Sequence, residues 1–487
     1  MFDLIFMRPL YLLSLGLLLS LSTTAQFLIS KTFLRSYTKA ELDSTLNAIG
    51  IPAAVVGTKW GVDTYKVLYN TVSWDSSATY ASGLLVVPKL QGCTFPIAVY
   101  SHGTMTYKED APSRLNGSEP YIGLIMSSFG YVAILPDYLG LGDGPGLHPY
   151  QHKQTEATCI VDIIRATKEA LPDLGVSQNN QLFLTGYSQG GHATMAAQEL
   201  IQNQLGNEMT VTASAPLSGA YSMSGVMVDL LLSDNPYPEP AYLPYIVFGW
   251  NQIYNFFENP SEILASPYDT LLPPLYDGTH NFGEINSIAP IVPKTIFKQA
   301  QIDSFINDSN YFFRVALRAN DSYKFVPTAP TYMMYCRGDS RVPFQNAVTA
   351  IENFNANGCQ NCDTLDVNPA LDHMDCAQFA VLNVKQFFEG FAIHDSCEAM
   401  SYAELVGGWD IGVDWVNQNL AVNIASTTML PTLLELYNVA GEKVGTFQLQ
   451  NKENQQFSIE NLSAGMYVAQ VSGSNKTYKV KKFILTK

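Results

Sequence analysis

The stretch QLFLTGYSQGGH, residues 181–192, determines how the rest of the chain is expected to fold. Its apolar run Leu182–Leu184 is typical of a buried strand, and helix formers dominate from Ala193 to Ile201. Between them, GYSQG has glycine two positions before and after Ser188, which leaves room for a tight strand-to-helix turn. Such a turn holds the serine hydroxyl at a sheet edge and at a helix N-terminus, where negative charge is stabilised. The stretch predicts a serine nucleophile, with an ordinary turn as the alternative.

A serine hydroxyl is a weak nucleophile near neutral pH and needs a base that is itself held in place. The segment RGDSRVP (337–343) follows a strand-like run, which places Asp339 at the C-terminal end of a strand. The segment LDHMD (371–375) places His373 in a loop leading into the last helix of this region. The order serine, aspartate, histidine fits a hydrolase built on a mostly parallel sheet. We therefore predict a catalytic triad of Ser188, Asp339 and His373.

Other residues compete for these roles. Three carboxylates share a segment with His373, where little would fix their geometry: Asp366, Asp372 and Asp375. His192 follows Ser188 by about one helical turn, so its ring should point along the helix and away from the hydroxyl. Three more histidines fall in loops that border the predicted site: His102, His148 and His152.

An acyl-transfer site also needs backbone donors for the oxyanion. The N–H of Gln189, the residue after the nucleophile, is the first predicted donor. The second is expected from the turn after an earlier strand, where Gly103 lets the backbone approach closely. The sequence leaves open whether Gly103 or Thr104 supplies this N–H.

Strand-like and helix-like segments alternate after an antiparallel hairpin at Tyr65–Val87. Residues from about 221 to 327 lack strand alternation and are rich in aromatics and prolines, which predicts a cap inserted over the strand ends. The aromatics would line an apolar pocket, form the cap's own core, or do both. Residues 26–400 are thus expected to form an α/β domain with a mostly parallel sheet covered on both faces.

The composition changes near residue 409, and from Trp409 to Lys487 the chain has neither His nor Arg. Short alternating segments separated by Gly-rich turns predict a small all-β sandwich of five or more strands over 409–487.

The first 25 residues have the pattern of a signal peptide. Arg8 precedes an apolar run from Leu10 to Leu21, and small residues precede Gln26. The run is shorter than the ~20 residues that span a bilayer. We expect an exported protein that loses residues 1–25 and has no transmembrane segment in its mature chain.

The amino-acid composition and the net charge exclude some classes of partner. With 47% hydrophobic and 14% charged residues, the chain is globular rather than disordered. A net charge of −16 argues against nucleic acid and anionic membrane surfaces.

Seven cysteines fit export without dictating a disulfide scaffold. Three are expected to be small core residues: Cys93, Cys159 and Cys336. One or two disulfides are expected among the other four: Cys359, Cys362, Cys376 and Cys397. The spacing of Cys359 and Cys362, with His373 and Cys376, also approximates a zinc site. Because His373 is needed in the triad, we predict no metal and no cofactor.

These motifs resemble the α/β-hydrolase superfamily from about Tyr65 to Phe391. Within it, LPDYLGLG (135–142), HPY (148–150) and GYSQGGH (186–192) resemble the secretory lipase family. The resemblance implies hydrolysis of acylglycerols and simpler esters.

The C-terminal part resembles the sorting domain of the bacterial type IX secretion system. The matching segments are LYNVAGEK (436–443), NLSAGMY (461–467) and KKFILTK (481–487). The usual Asn-Pro pair is not evident, since Asn419 is followed by leucine. The resemblance implies a secreted or cell-surface bacterial enzyme that passes the periplasm and engages secretion machinery. The alternative is a sandwich that binds carbohydrate or another partner.

We therefore predict a serine carboxylesterase or lipase that acts on a small-molecule or lipid ester through an acyl-enzyme. A peptidase of the same superfamily is the alternative, and it would need an acidic anchor for a substrate N-terminus. The candidate anchors are Glu109, Asp110, Glu239 and Glu258. A non-catalytic binding protein is less favoured because all three triad positions are intact.

Overall fold

The computed structural model describes residues 26–49, 51, 53–90 and 93–394, together with 409–414, 419–424, 433–439, 441–450, 454–463, 465–473 and 476–485. The predicted signal peptide, residues 1–25, and Cys397 lie outside these ranges. Within them, no helix has both the length and the apolar character that crossing a bilayer requires.

A nine-stranded sheet organises the larger part of the protein. Its strands are β1 (Leu28–Tyr37), β2 (Val62–Val72), β3 (Ala78–Pro88), β4 (Thr94–Ser101), β5 (Val132–Pro136), β6 (Ser177–Tyr187), β7 (Ala213–Leu217), β8 (Thr331–Tyr335) and β9 (Cys362–Asp366). Their spatial order is β1-β2-β3-β5-β4-β6-β7-β8-β9. Pairing is antiparallel from β1 to β5 and parallel from β5 to β9. The predicted mostly parallel sheet with an antiparallel start is confirmed.

Helices cover both faces of this sheet, which explains why β5 and β7 are buried along their whole length. The helices before the insertion are α1 (Lys39–Ala48), α2 (Ala53–Val56), α3 (Glu119–Ser128), α4 (Lys153–Ala170) and α5 (Gln189–Gln204). Side chains of α4 and α5 share one hydrophobic cluster with the strands. Those of α1 and α3 join another cluster on the opposite face.

A helical segment separates β7 from β8, where the sequence predicts a cap. Its helices are α6 (Val226–Leu231), α7 (Tyr242–Tyr254), α8 (Tyr268–Leu271), α9 (Phe282–Asn286), α10 (Gln299–Asn307) and α11 (Phe312–Ala319). The Tyr245 hydroxyl donates to the Met105 carbonyl at 2.9 Å, and Trp250 Nε1 donates to the Tyr150 carbonyl at 2.8 Å. Helix α7 therefore rests on the loops that follow β4 and β5, at the C-terminal edge of the parallel strands.

Most aromatics of the Tyr237–Phe257 region form the core of this helical segment rather than a pocket lining. The buried ones are Tyr237, Tyr245, Phe248, Trp250 and Phe257. A separate apolar cavity is lined mainly by later aromatics: Phe297, Phe305, Tyr311, Phe312 and Phe313, with Phe256. Of the aromatics in the Tyr237–Phe257 region, Phe256 is the one that lines this cavity, and most of the others belong to the core of the helical segment.

The last two helices are α12 (Gln345–Ala356), between β8 and β9, and α13 (His373–Glu389), after β9. One helix and one strand therefore separate Asp339 from His373. Buried residues of α13 join the same hydrophobic cluster as α1 and α3.

The C-terminal part forms two small antiparallel sheets. Its strands are β10 (Trp409–Asp414), β11 (Asn419–Ile424), β12 (Leu433–Asn438), β13 (Lys443–Gln448), β14 (Asn454–Ser458), β15 (Gly465–Gly473) and β16 (Lys476–Leu485). The sheets are β10-β11-β14 and β13-β12-β15-β16. The rings of Phe447 and Phe457 join them, with centroids 5.0 Å apart. The predicted β-sandwich is confirmed.

The cysteines differ from the expectation. Cys336 is not a free core thiol, because it forms a disulfide with Cys376 and so joins the end of β8 to the first turn of α13. Cys359 is bonded to Cys362. Cys93 is also disulfide-bonded, and only Cys159 remains a free buried thiol in the described ranges. Three of the four ligands in the zinc alternative are therefore already in disulfides.

We predict that the Cys336–Cys376 disulfide stabilises the fold more than the Cys359–Cys362 disulfide. The first closes a loop of 40 residues, the second one of 3. Loop-closure entropy makes the expected losses of unfolding free energy about 4 and about 1.6 kcal/mol. Denaturant unfolding of the double variants C336A/C376A and C359A/C362A measures both. Equal losses would contradict the prediction.

Candidate active site

Ser188 lies at the turn between β6 and α5 in a backbone conformation that non-glycine residues rarely adopt, with φ +61° and ψ −118°. Its own N–H donates to the Leu217 carbonyl at 3.0 Å. A side chain at Gly190 would collide with the carbonyl oxygen of Ser101. A side chain at Gly186 would collide with the carbonyl oxygens of Ser101 and Gly190. The two glycines therefore allow the turn to pack directly against the end of β4.

The structure brings Ser188, Asp339 and His373 together. His373 Nδ1 lies 2.6 Å from Asp339 Oδ2, and His373 Nε2 lies 2.9 Å from Ser188 Oγ. An ionised carboxylate only accepts hydrogen bonds, so Nδ1 carries the ring proton and Nε2 is free to accept one from the serine. All three side chains are buried. The arrangement is that of a nucleophile, a base and the group that orients the base.

Asp339 is held by its own loop. Its Oδ1 accepts hydrogen bonds from the backbone N–H groups of Arg341 at 2.9 Å and Val342 at 2.8 Å, which leaves Oδ2 for the imidazole. Tyr187 supports His373 from the other side. Its hydroxyl donates to the His373 carbonyl at 2.5 Å, and the two rings are in contact at 4.9 Å between centroids.

Arg341 links the helical segment to both triad loops. Its Nε donates to Glu239 at 3.0 Å, and its Nη1 donates to Asp372 at 2.8 Å. Partial burial opposes ionisation of Asp372, but hydrogen bonds from Ser340 and the charge of Arg341 outweigh it and hold its pKa at about 2. Asp372 thus orients the loop before His373 instead of competing for the imidazole.

The predicted oxyanion donors differ in their availability. In the described part of the chain, the N–H groups of Gln189 and Thr104 have no protein acceptor. The N–H of Gly103 donates to Glu119 Oε1, at 3.3 Å. His102 contacts the Gly103 carbonyl through Nδ1 at 2.6 Å and so helps to order this loop.

The remaining histidines do not reach the serine. As expected, the ring of His192 points away from Ser188, and its Nδ1 lies 2.7 Å from Glu156. His148 Nδ1 donates to the Leu139 carbonyl at 2.8 Å. Burial lowers the pKa of His148 to about 3, so this ring is neutral near neutral pH.

Comparisons with known proteins identify the family of this chain. The family model described as "Secretory lipase" matches residues 121–221, which include Ser188, and the one described as "Secretion system C-terminal sorting domain" matches 416–486. A protein of Legionella pneumophila classed as a hydrolase is 31% identical, with a TM-score of 0.70, over 75% of this chain and 98% of its own. The chain belongs to the secretory lipase family of α/β-hydrolases.

Two further solved structures share the fold. The esterase LipA of Xanthomonas oryzae, described as degrading the rice cell wall, is 26% identical over 74% of this chain and 97% of its own, with a TM-score of 0.66. Candida antarctica lipase A shares the fold, at 17% identity, 76% and 83% coverage and a TM-score of 0.55. No curated protein matched significantly. This secretory lipase family member is therefore a lipase- or esterase-type hydrolase, and its type IX sorting domain implies a secreted or cell-surface bacterial protein.

Sequence reasoning missed two supports of the site in this lipase family member. Tyr187 and Arg341 lie inside the motifs that it used, GYSQG and RGDSRVP. The side chain of Tyr187 binds the backbone carbonyl of His373, and that of Arg341 binds the carboxylate of Glu239. Both partners are far away in the chain. The available signals for these supports were a large aromatic residue, Tyr187, directly before Ser188 and a cationic residue, Arg341, shortly after Asp339.

We predict that His152 makes the stability of this lipase family member depend on pH. Burial, and then the neighbouring His192, lower its pKa from 6.5 to about 4. Between these values the unfolded chain binds a proton that the folded protein does not, so stability is fully present above about pH 6.5 and falls as the pH falls. The expected loss for this one group is up to about 1.4 kcal/mol per pH unit.

Urea unfolding between pH 7.5 and 5 measures this effect. His152→Asn keeps a polar residue at the N-cap of α4 but removes the titrating ring, so its pH dependence should be shallower. The partly exposed His280→Asn is the matched control and should behave as wild type. If His152→Asn has the wild-type slope, the assignment is wrong.

Proposed function

We propose that this protein hydrolyses carboxylic esters by acyl transfer through Ser188, with His373 as the base and Asp339 as the group that orients it. The observation that carries the proposal is the continuous chain of contacts from Ser188 Oγ to His373 Nε2 at 2.9 Å and from His373 Nδ1 to Asp339 at 2.6 Å. The strained backbone of Ser188 supports it, because such conformations concentrate at active sites.

The reaction has two steps. Ser188 Oγ attacks the ester carbonyl while His373 Nε2 takes its proton, and the imidazolium then gives that proton to the leaving alcohol. A water molecule next attacks the acyl-enzyme with His373 again as base, which releases the acid and restores the serine. Asp339 holds the tautomer and stabilises the imidazolium throughout. This route requires no cofactor.

For the oxyanion we propose the backbone N–H groups of Gln189 and Thr104. Gly103 is the less favoured second donor because its N–H already has the carboxylate of Glu119 as partner. Gln189 is also the first residue of α5, so the helix dipole adds to the stabilisation of negative charge.

An ester is favoured over a peptide substrate because two of the four candidate amine anchors are already neutralised. Glu239 pairs with Arg341 at 3.0 Å, and Glu109 pairs with Arg114 at 3.2 Å. A free ammonium group would have to displace these cations.

We also propose a division of the chain into a removable signal peptide, a catalytic domain and a sorting domain. The signal peptide would be residues 1–25. The catalytic domain would be residues 26–400, with a cap at about 221–327, and the sorting domain would be residues 409–487. Export would then pass through the periplasm, with the C-terminal sandwich engaging the secretion machinery. The family match at 416–486 supports the last of these assignments.

The proposal predicts that Ser188→Ala lowers ester hydrolysis by the purified full chain by about 10³-fold or more. Turnover of p-nitrophenyl esters with short to long acyl groups is measured beside aminoacyl- and prolyl-p-nitroanilides. The matched control is Ser128→Ala, since Ser128 is a buried serine of α3 whose hydroxyl accepts from the Lys59 N–H. It should retain wild-type kcat.

Wild-type ester turnover by Ser188→Ala would overturn the proposed nucleophile. Amide turnover at an efficiency comparable with that of the esters would move the assignment to a peptidase. The optimum acyl length would describe the size of the acyl site.

A further inference from the structure

A second carboxylate–histidine pair lies beneath the turn that carries Ser188. Glu156, on α4, is 1% exposed, and its Oε2 lies 2.7 Å from His192 Nδ1. Its Oε1 accepts from Gln189 Nε2 at 2.8 Å. The same amide nitrogen lies 2.7 Å from His148 Nε2. One buried carboxylate thus binds two residues of α5.

Gln189 and His192 are the two residues of the first turn of α5 whose side chains extend beyond the backbone and can anchor it. That turn is Gln189, Gly190, Gly191 and His192, and the glycines have no side chain with which to hold it. Both side chains that remain bind Glu156. Glu156 is therefore the side chain of α4 that both of them bind, while Gln189 also binds His148 and His192 also binds the Asn320 carbonyl.

The direction of each hydrogen bond in this group follows from its neighbours. His148 Nδ1 donates to a carbonyl, so its Nε2 accepts, and Gln189 Nε2 donates one proton to it and the other to Glu156. His192 Nε2 lies 2.9 Å from the Asn320 carbonyl and must carry a proton. Glu156 and His192 then share one further proton between Oε2 and Nδ1. No orientation is left free.

We propose that Glu156 is a positioning residue for the reaction, because it holds Gln189 so that its backbone N–H is directed at the developing oxyanion. The inference rests on the proposed function. Displacement of an oxyanion donor weakens binding of the transition state more than binding of the substrate, since the bond is strongest when the charge has formed. Loss of Glu156 should therefore lower kcat and leave KM nearly unchanged.

The test compares Glu156→Ala with Glu156→Gln in the full chain. Alanine removes both bonds, and kcat for a p-nitrophenyl ester should fall roughly 10- to 100-fold. Glutamine can accept from Gln189 through its oxygen and donate to a neutral His192 through its amide. It should therefore restore kcat to within about threefold. Affinity for a trifluoromethyl ketone, which forms a tetrahedral adduct, should fall in parallel with kcat.

Asp162→Ala is the matched control. Asp162 lies on the same helix and is 3% exposed, but it binds Thr71 and Arg165 instead of the first turn of α5. This variant should lose stability and keep kcat. If Glu156→Ala does not fold, Gln189→Ala deletes only the side chain held by the carboxylate and should show the same loss of kcat.

The outcomes separate this inference from the proposed function. Full activity of Ser188→Ala would contradict the proposed function itself. A second outcome is that Ser188→Ala is inactive while folded Glu156→Ala keeps wild-type kcat and ketone affinity. This outcome would overturn only the role of Glu156. If Glu156→Ala does not fold, the same result in Gln189→Ala would do so. An equal loss of kcat in Asp162→Ala would also overturn it, because the effect would then be general destabilisation.

Discussion

The rest of the structure depends on one close contact between two backbone segments, the end of β4 and the turn that follows β6. The turn after β6 packs against the end of β4, and glycine at 186 and 190 is what permits the contact. The approach forces Ser188 into a left-handed backbone conformation and projects its side chain beyond the sheet. It also brings the Ser188 turn beside the loop of Gly103 and Thr104, so nucleophile and proposed oxyanion donors meet at one point. Neighbouring parallel strands β4 and β6 make this possible, since their C-terminal ends share an edge.

Charge is then distributed around that turn in two buried carboxylate–histidine pairs. Asp339 and His373 face Ser188, while Glu156 and His192 lie under the helix that follows it. Buried charges are costly unless they are paired and hydrogen-bonded, and each carboxylate here accepts additional bonds from N–H groups. In the proposed reaction the first pair exchanges a proton with Ser188. The second binds Gln189 and the Asn320 carbonyl and does not contact Ser188 Oγ.

The helical segment between β7 and β8 is tied to this centre by polar contacts as well as by packing. Arg341 follows the triad aspartate closely and reaches both Glu239 of that segment and Asp372, the neighbour of His373. The Tyr237 hydroxyl adds a bond to the Arg341 carbonyl at 2.9 Å. The Cys336–Cys376 disulfide joins the end of β8, shortly before Asp339, to the first turn of α13, which begins at His373. Asp339, His373 and the helical segment between β7 and β8 are therefore connected by hydrogen bonds and a disulfide.

Local pattern was enough to predict the alternation of strands and helices, the turn at Ser188, the chain order of Ser188, Asp339 and His373, and the strands β12 to β16 of the C-terminal sandwich, but not β10 and β11. Each of these depends on neighbouring residues, because backbone periodicity and glycine placement act over short distances. The strand β1 was not predicted, since half of its residues are exposed at the sheet edge and its apolar alternation is weak. The bonds of Glu156 to His192, of Arg341 to Glu239 and of Cys336 to Cys376 required the folded chain. They join residues far apart in sequence, and only packing of the helices on the sheet decides which polar groups meet away from water.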